Sequence, residues 1–164
     1  VNGRSDFDFS GDAARRTIES TLKDLRTDYV DLLLIHSDGQ DVAIQQETDL
    51  VETLQSIKSA GHARFIGLSG KTPEGARTAI EWADVLMCPL NENDRSHESV
   101  IAEAADAGLG IIAKKVLGSG HLPAAEALDF AIRNSDAADH LSSIVIGSLD
   151  ANRMAANIGQ LDKA

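Results

Sequence analysis

Three groups of residues in this chain have types and spacings that could do chemistry. The first is His36, which ends the apolar run of Tyr29-Val30-Asp31-Leu32-Leu33-Leu34-Ile35-His36-Ser37. Residues 30–35 are almost wholly β-branched or leucine, which suits a strand covered on both faces in a parallel sheet. In α/β folds the carboxyl ends of such strands carry the chemistry, so a titratable imidazole there is a candidate site group. Taken alone, it reads equally as a rim histidine satisfied by hydrogen bonds. The second group is a pair of small-residue loops, Leu117-Gly118-Ser119-Gly120-His121 and Gly147-Ser148-Leu149-Asp150. Small residues let a backbone approach an anion, and the second loop opens a helix with Arg153 in its first turn. The third is Ser69-Gly70-Lys71-Thr72, which has the look of the end of a phosphate-binding P-loop. That motif requires a glycine where Phe65 stands, and Gly67 falls inside a strand, so the amides cannot wrap a triphosphate.

Composition narrows the classes. The 164 residues can bury one core, and no run approaches the length of a membrane span. The single cysteine, Cys88, sits in Val85-Leu86-Met87-Cys88, which excludes a disulfide framework and reads as a buried thiol. A formal net charge of -11 argues against nucleic acid or an anionic membrane as partner. No metal is expected. The chain opens at Val1 with no charged-then-apolar segment behind it, which reads as a cytoplasmic protein and as the interior of a longer chain.

The elements that must position these groups follow one cadence. Ser10 can cap a helix with Ile18, Leu22 and Leu25 on one face, leading into the His36 strand. Leu50, Val51, Leu54 and Ile57 mark the next helix, stopped near Gly61, and a strand covers 64–69. Thr72-Pro73-Glu74 is an N-cap, a proline at the first helical position and an acidic first turn, for a helix to about Trp82. A strand over 84–89, a helix over 96–107 ended by Gly108, and a strand over 110–116 follow. A helix over 123–134, a strand over 143–146 and a helix from about Asp150 with Met154, Ile158 and Leu161 close the chain. Five strands and six helices alternating without hairpins predict a parallel sheet in one domain, 1–164. No Gly-x-Gly-x-x-Gly follows a strand, which disfavours a doubly wound nucleotide fold. A barrel of eight strand-helix units fits better, because barrels often hold a phosphate in the loops after their last two strands. An isolated glycine pair is an ordinary turn, but these two loops stand at that place.

At this point the sequence resembles the aldo-keto reductases over about 9–161. The similarity is strongest in Leu25-Arg26-Thr27-Asp28-Tyr29-Val30-Asp31-Leu32-Leu33-Leu34-Ile35-His36, like the family's L-x-T-D-Y-I-D-L-x-x-I-H. Ile66-Gly67-Leu68-Ser69 is similar to I-G-V-S-N, and Lys115-Val116-Leu117-Gly118-Ser119-Gly120 to the loop after the seventh strand. Val145-Ile146-Gly147-Ser148 with Arg153 and Asn157 is similar to the closing strand and cofactor-phosphate helix. The resemblance implies a (β/α)8 TIM barrel, of which this chain covers about five strand-helix units, and NADPH-dependent reduction of an aldehyde or ketone. It implies that His36 orients and polarises the substrate carbonyl and that Ser69 contacts the nicotinamide amide. Leu117, Gly118 and Ser119 would meet the pyrophosphate. Gly147, Ser148, Arg153 and Asn157 would meet the adenosine phosphate end, and Lys115 would enter the site because some branches carry lysine there.

Departures from the pattern are informative. Gly70 stands where the family usually has an asparagine that also holds the carboxamide, Met87 where many members have glutamine, and Leu90 where a tyrosine precedes the asparagine matched by Asn91. The nicotinamide-stacking tyrosine would fall at Lys114, which reads as a solvated rim charge if the two lysines point to opposite strand faces. Trp82 reads as core packing. The family's proton donor is a tyrosine in D-x-A-x-x-Y, assisted by a lysine ending the next strand, and neither segment occurs in these residues. Tyr29, the one tyrosine, precedes the His36 strand and so lies on the order of 20 Å from His36. The 164 residues by themselves are therefore expected to be inactive, with the first three strands of the barrel elsewhere. Two alternatives stay open: a non-catalytic cofactor-binding sensor or scaffold of the same fold, and an unrelated phosphate-handling barrel lyase or isomerase.

Overall fold

Residues 7–161, which this computed structural model describes, form five strands and seven α-helices in strict alternation apart from one helix pair. The chain divides between Asp84 and Val85 into two compact units.

The first unit begins with α1 (Gly11–Leu25), whose N-cap Ser10 accepts a hydrogen bond from the Ala13 amide at 3.2 Å. The Gly11 amide donates to Asp49 Oδ1 at 2.7 Å, so a carboxylate satisfies another of the free amides of the first turn. Ile18 and Leu22 are buried as expected, but Leu25 is 62% exposed, because the left-handed cap at Arg26 (φ 56°) turns the chain away there. β1 (Val30–His36) and β2 (Ala63–Ser69) pair in parallel, with Val30 opposite Ala63 and His36 opposite Ser69. Between them lie α2 (Asp41–Glu47) and α3 (Leu50–Ser59), and α4 (Pro73–Ala79) follows β2. The sequence pattern missed α2, which is only seven residues long with Ile44 as its buried apolar anchor. α4 starts on Thr72 and Pro73 as predicted, with Thr72 Oγ1 accepting from the Gly75 amide at 3.1 Å, but it stops at Ala79. Trp82 lies past that end, and its indole Nε1 donates to Gln45 Oε1 at 2.8 Å, in keeping with a packing role.

β1 departs from the expectation of a strand covered on both faces. Ile35 is buried, yet Leu32, Leu33 and Leu34 are half-buried and line a cavity of about 390 Å³ with Phe7, Phe9, Ile18 and Leu54. Among the described residues no strand pairs with the other edge of β1. At the amino end of the strand Tyr29 is 39% exposed, with the Arg64 guanidinium 4.5 Å from its ring centre.

The second unit holds β3 (Val85–Pro89), α5 (Glu98–Asp106), β4 (Gly110–Lys114), α6 (Ala124–Asp129), β5 (Ser143–Ile144) and α7 (Ala151–Leu161). β3 pairs in parallel with β4, Val85 opposite Gly110 and Pro89 opposite Lys114, and β4 with β5, Ala113 opposite Ile144. β5 is shorter than expected, although amides on either side of it, Ser142 and Val145, still donate to Ile111 and Ala113 carbonyls at 2.8 Å. Leu86, Val100, Ile101, Ile111, Val116 and Leu128 make the core, and Cys88 is buried among β3 residues as read. α6 gives way to a π-helical turn at Phe130–Asn134, so the predicted single helix is two pieces. On α7, Met154 is half-buried while Ile158 is 51% exposed; the side chain of Leu161, like the opening Val1, lies outside the described residues. Parallel strands joined by helices in chain order are the build of a (β/α)8 barrel, about five units of it.

Packing in the first unit makes one position intolerant of any side chain. A Cβ on Gly75 would stand 2.0 Å from the Cβ of Asp41, a residue only 1% exposed and held from several sides. Gly75→Ala should therefore destabilise the protein by about 2 kcal/mol, overriding the roughly 1 kcal/mol that alanine ordinarily gains over glycine in a helix. Denaturant unfolding measures this, and a stabilised variant would contradict the close α2–α4 approach.

Candidate active site

In the first unit, parallel register delivers two predicted residues side by side. His36 and Ser69 are partners at the carboxyl ends of β1 and β2, and the Ser37 amide donates to the Ser69 carbonyl at 3.4 Å. Ser69 is buried, whereas His36 is exposed, with its ring 6.0 Å from that of Phe7 and at the rim of the apolar cavity along β1. An imidazole so placed has an apolar wall on one side and an exposed side from which a polar ligand can approach.

The loops after β1 and β2 are tied by Asp41, which sequence reasoning passed over. Its carboxylate accepts from the Ser37 hydroxyl, from the amides of Lys71 and Thr72 at 2.6 and 2.7 Å, and from Thr72 Oγ1 at 3.0 Å. Burial opposes ionisation here, but the hydrogen bonds from Ser37, Lys71 and Thr72 outweigh it and hold the carboxyl below the usual carboxylate range. The signal for it was an acid four residues beyond Ser37, followed by Val42 and Ile44. Gly70 is shaped by the same group, since a Cβ there would lie 2.9 Å from Asp41 Oδ2.

In the second unit, β4 ends at Lys114, and Lys115 adopts a left-handed conformation (φ 57°). Strand alternation therefore does not extend to the lysine pair: Lys114 is half-buried at the strand end and Lys115 is exposed past it. Asn91 fixes this turn by donating from Nδ2 to the Lys115 carbonyl at 3.1 Å. Nearby, the Ser96 hydroxyl holds the Asp94 carboxyl below its usual range against partial burial, helped by the Ser96 amide and the charges of His97 and Lys115. Three residues on, the backbone is left-handed again at Gly118 (φ 53°), Ser119 (φ 60°) and Gly120 (φ 90°), a tight coil that a bulky sequence would not sustain.

That coil and the loop after β5 converge. Leu117, Ser119, Gly120, Gly147, Ser148, Arg153 and Asn157 line one cavity of about 710 Å³, and Lys115, Leu117, Ser119 and Gly147 share a neighbouring one of about 270 Å³ with Val145 and Ile146. A Cβ on Gly120 or Gly147 would meet nothing within 4 Å, so the space beside both is open. Asn157 is buried, and Arg153 is 74% exposed. Asp150 caps α7, its Oδ1 accepting from the amides of Asn152 and Arg153 at 2.8 and 3.1 Å, while its Oδ2 lies 3.9 Å from the Arg153 guanidinium. Ser148 Oγ accepts from the Asp150 amide at 3.1 Å and donates to the Asp150 carbonyl at 3.0 Å. The size, the open glycines and the Ser119, Ser148, Arg153 and Asn157 donors fit the phosphate portion of a dinucleotide, although an anion there would share Arg153 with Asp150. Among the described residues no group of three or more His, Cys, Asp or Glu could hold a metal ion, and no helix is long and apolar enough to cross a membrane.

Comparison with known proteins bears on the family and the fold. The aldo/keto reductase family model matches residues 1–162. A structure from Pseudomonas aeruginosa assigned to the aldo-keto reductases superposes with a TM-score of 0.91 at 34% identity, covering 99% of this chain and 63% of that one. The holo form of an aldo-keto reductase from Bacillus halodurans shares the fold, with a TM-score of 0.79 at 17% identity over 99% of this chain and 64% of that one. L-galactose dehydrogenase of Arabidopsis thaliana is 29% identical over 129 residues, 71% of this chain and 39% of that protein. The chain thus spans less than two thirds of the length of each of these relatives. Strand order, the two late loops and the matched sequence lead to one conclusion: this chain belongs to the aldo/keto reductase family.

Proposed function

We propose that this chain is the cofactor-binding and carbonyl-facing portion of a cytoplasmic, NADPH-dependent oxidoreductase that reduces a small aldehyde or ketone to an alcohol, built as a single barrel domain. The observation that carries the reading is the gathering of Leu117, Ser119, Gly147, Ser148, Arg153 and Asn157 around one cavity from loops that are distant in sequence. The bound nicotinamide would supply hydride to the carbonyl carbon. The chain's own residues bind and orient. Ser119 and Gly120 offer a close backbone approach to the pyrophosphate, with Leu117 as the apolar wall; Gly118, predicted beside them, lines neither cavity and faces Leu122. Gly147 and Ser148 flank the adenosine phosphate end, where Arg153 gives positive charge and Asn157 a buried amide. Lys115, at the rim of the smaller cavity, adds a second cation.

At the reacting end, Ser69 would hold the nicotinamide amide. His36 would donate a hydrogen bond to the carbonyl oxygen and thereby stabilise the alkoxide charge that develops as the carbon is reduced. The proton that completes the alcohol comes by resemblance from a tyrosine that these residues do not include, since Tyr29 stands at the amino end of β1. A non-catalytic cofactor-binding role uses the same phosphate residues and differs in lacking turnover. Family membership sets aside the unrelated lyase or isomerase.

Two measurements on the protein at its natural length test this. NADPH should bind more tightly than NADH, and Arg153→Ala should narrow the difference by about tenfold, roughly 1.4 kcal/mol, as followed by fluorescence quenching. Equal affinities that the substitution leaves unchanged would contradict the assignment of a ribose 2′-phosphate to Ser148 and Arg153. His36→Ala should lower turnover by about 10²-fold or more while leaving cofactor affinity nearly intact, because the phosphate contacts lie on other loops. Retained turnover would return His36 to the role of a rim histidine, and absence of turnover in the parent with intact cofactor binding would favour the sensor or scaffold.

A further inference from the structure

The turn Ser69-Gly70-Lys71-Thr72 is built around an internal anion. The amides of Lys71 and Thr72 and the Thr72 hydroxyl converge on Asp41 Oδ2, at 2.6, 2.7 and 3.0 Å. The other carboxylate oxygen, Oδ1, accepts from the hydroxyl of Ser37, whose own Oγ accepts from the Gly39 amide at 2.8 Å. Ser37 is the residue after His36, and Lys71 and Thr72 are the second and third after Ser69. One buried carboxylate thus divides its two oxygens between the loops that leave β1 and β2. Lys71 Nζ adds a third tie by donating to the Asp38 carbonyl at 2.8 Å. Ser37 is fully buried and Asp41 is 1% exposed, so the bond between them has no water as a ready substitute, while the bonds from Lys71 and Thr72 are part-buried.

Strand pairing fixes the backbone as far as His36 and Ser69 and no further. Beyond them Gly39 has φ 121°, and what joins the two loops is the Ser37 amide's bond to the Ser69 carbonyl, the Lys71 tie and the Asp41 carboxylate, the last with the most bonds. Sequence around the tether is constrained to match: a side chain at position 70 would press on Oδ2, and one at position 75 on the Asp41 Cβ. The glycine at position 70, where the resemblance led us to expect an asparagine, is the residue that leaves room for this carboxylate.

We infer that Asp41 is a positioning residue of the active site, its carboxylate clamping the loops after β1 and β2 so that His36 and Ser69 hold one orientation toward substrate and nicotinamide. This rests on the reading of His36 and Ser69 given above. The ionised carboxylate is the form suited to the work, because it accepts on both oxygens at once.

The test uses the protein at its natural length with three variants, Asp41→Ala, Asp41→Asn and Ser37→Ala. Amide exchange at Lys71 and Thr72 reads the clamp directly, and kcat per folded molecule reads its effect on the site. In Asp41→Ala, exchange at both amides should accelerate by about tenfold or more and kcat should fall by at least about tenfold, with affinity for the phosphate end of NADPH unchanged. Asp41→Asn, which keeps one carbonyl oxygen, should recover part of both. Ser37→Ala removes the Oδ1 tie together with the Gly39 amide's bond to Ser37 Oγ and leaves the Oδ2 bonds in place, so it should lower kcat severalfold while Lys71 and Thr72 stay protected. Faster exchange with kcat per folded molecule unchanged in all three variants would make the clamp merely structural and overturn the inference. Unchanged exchange in Asp41→Ala would overturn it as well. If the parent reduces no carbonyl compound, the functional reading fails by itself; the His36 ring signals then decide the clamp, one sharp set in the parent against broadened or multiple sets in Ser37→Ala upholding it and identical spectra refuting it.

Discussion

Parallel pairing of strands is the constraint on which the rest of the structure depends. When β1 and β2 run the same way and lie in register, their carboxyl ends emerge together, and His36 comes to stand beside Ser69 without further instruction. The same constraint acts in the second unit, where β4 and β5 end close to the coil at 117–120 and the loop at 147–150. Antiparallel strands would have scattered these residues to opposite ends. Each helix that intervenes returns the chain so that the next strand can start at the same side, which is why the polar site residues cluster after the strands and the ion pairs of the first unit, such as Lys58 with Asp84, lie elsewhere.

Within that frame the two kinds of loop are stabilised differently. The coil after β4 relies on backbone conformation, with three successive left-handed residues and turn hydrogen bonds such as Gly118 N to Lys115 O at 2.8 Å, and it leaves its outer surface open. The loops after β1 and β2 rely on a side chain, Asp41, and are closed around it. The difference matches the chemistry proposed for each. An anion must be admitted at the first, while a histidine and a serine must be held still at the second.

Legibility in the sequence followed physical origin. The His36 strand, the Ser10 and Thr72 caps and the two late loops were readable because a long apolar run, a capping residue and a small-residue cluster are local signals. Leu25 misled because periodicity assigns a face but does not say where the left-handed cap will lift the last turn off the core. α2 was invisible for want of length, and the split of α6 into a helix and a π turn leaves the apolar pattern intact. Alternation was read as sending Lys114 and Lys115 to opposite strand faces, yet the left-handed backbone at Lys115 ends that alternation one residue early. Asp41 left only a faint local trace, its spacing from Ser37, since its partners Lys71 and Thr72 are thirty residues and more away. A buried carboxylate with donors from two loops is a tertiary fact.

The most direct test of the central claim is a crystal structure of the protein with NADPH bound. The account predicts the pyrophosphate against the backbone of 119–120 and the ribose phosphate within reach of Ser148 and the Arg153 guanidinium, with Asn157 lining the same cavity. A cofactor seated away from both loops would contradict it.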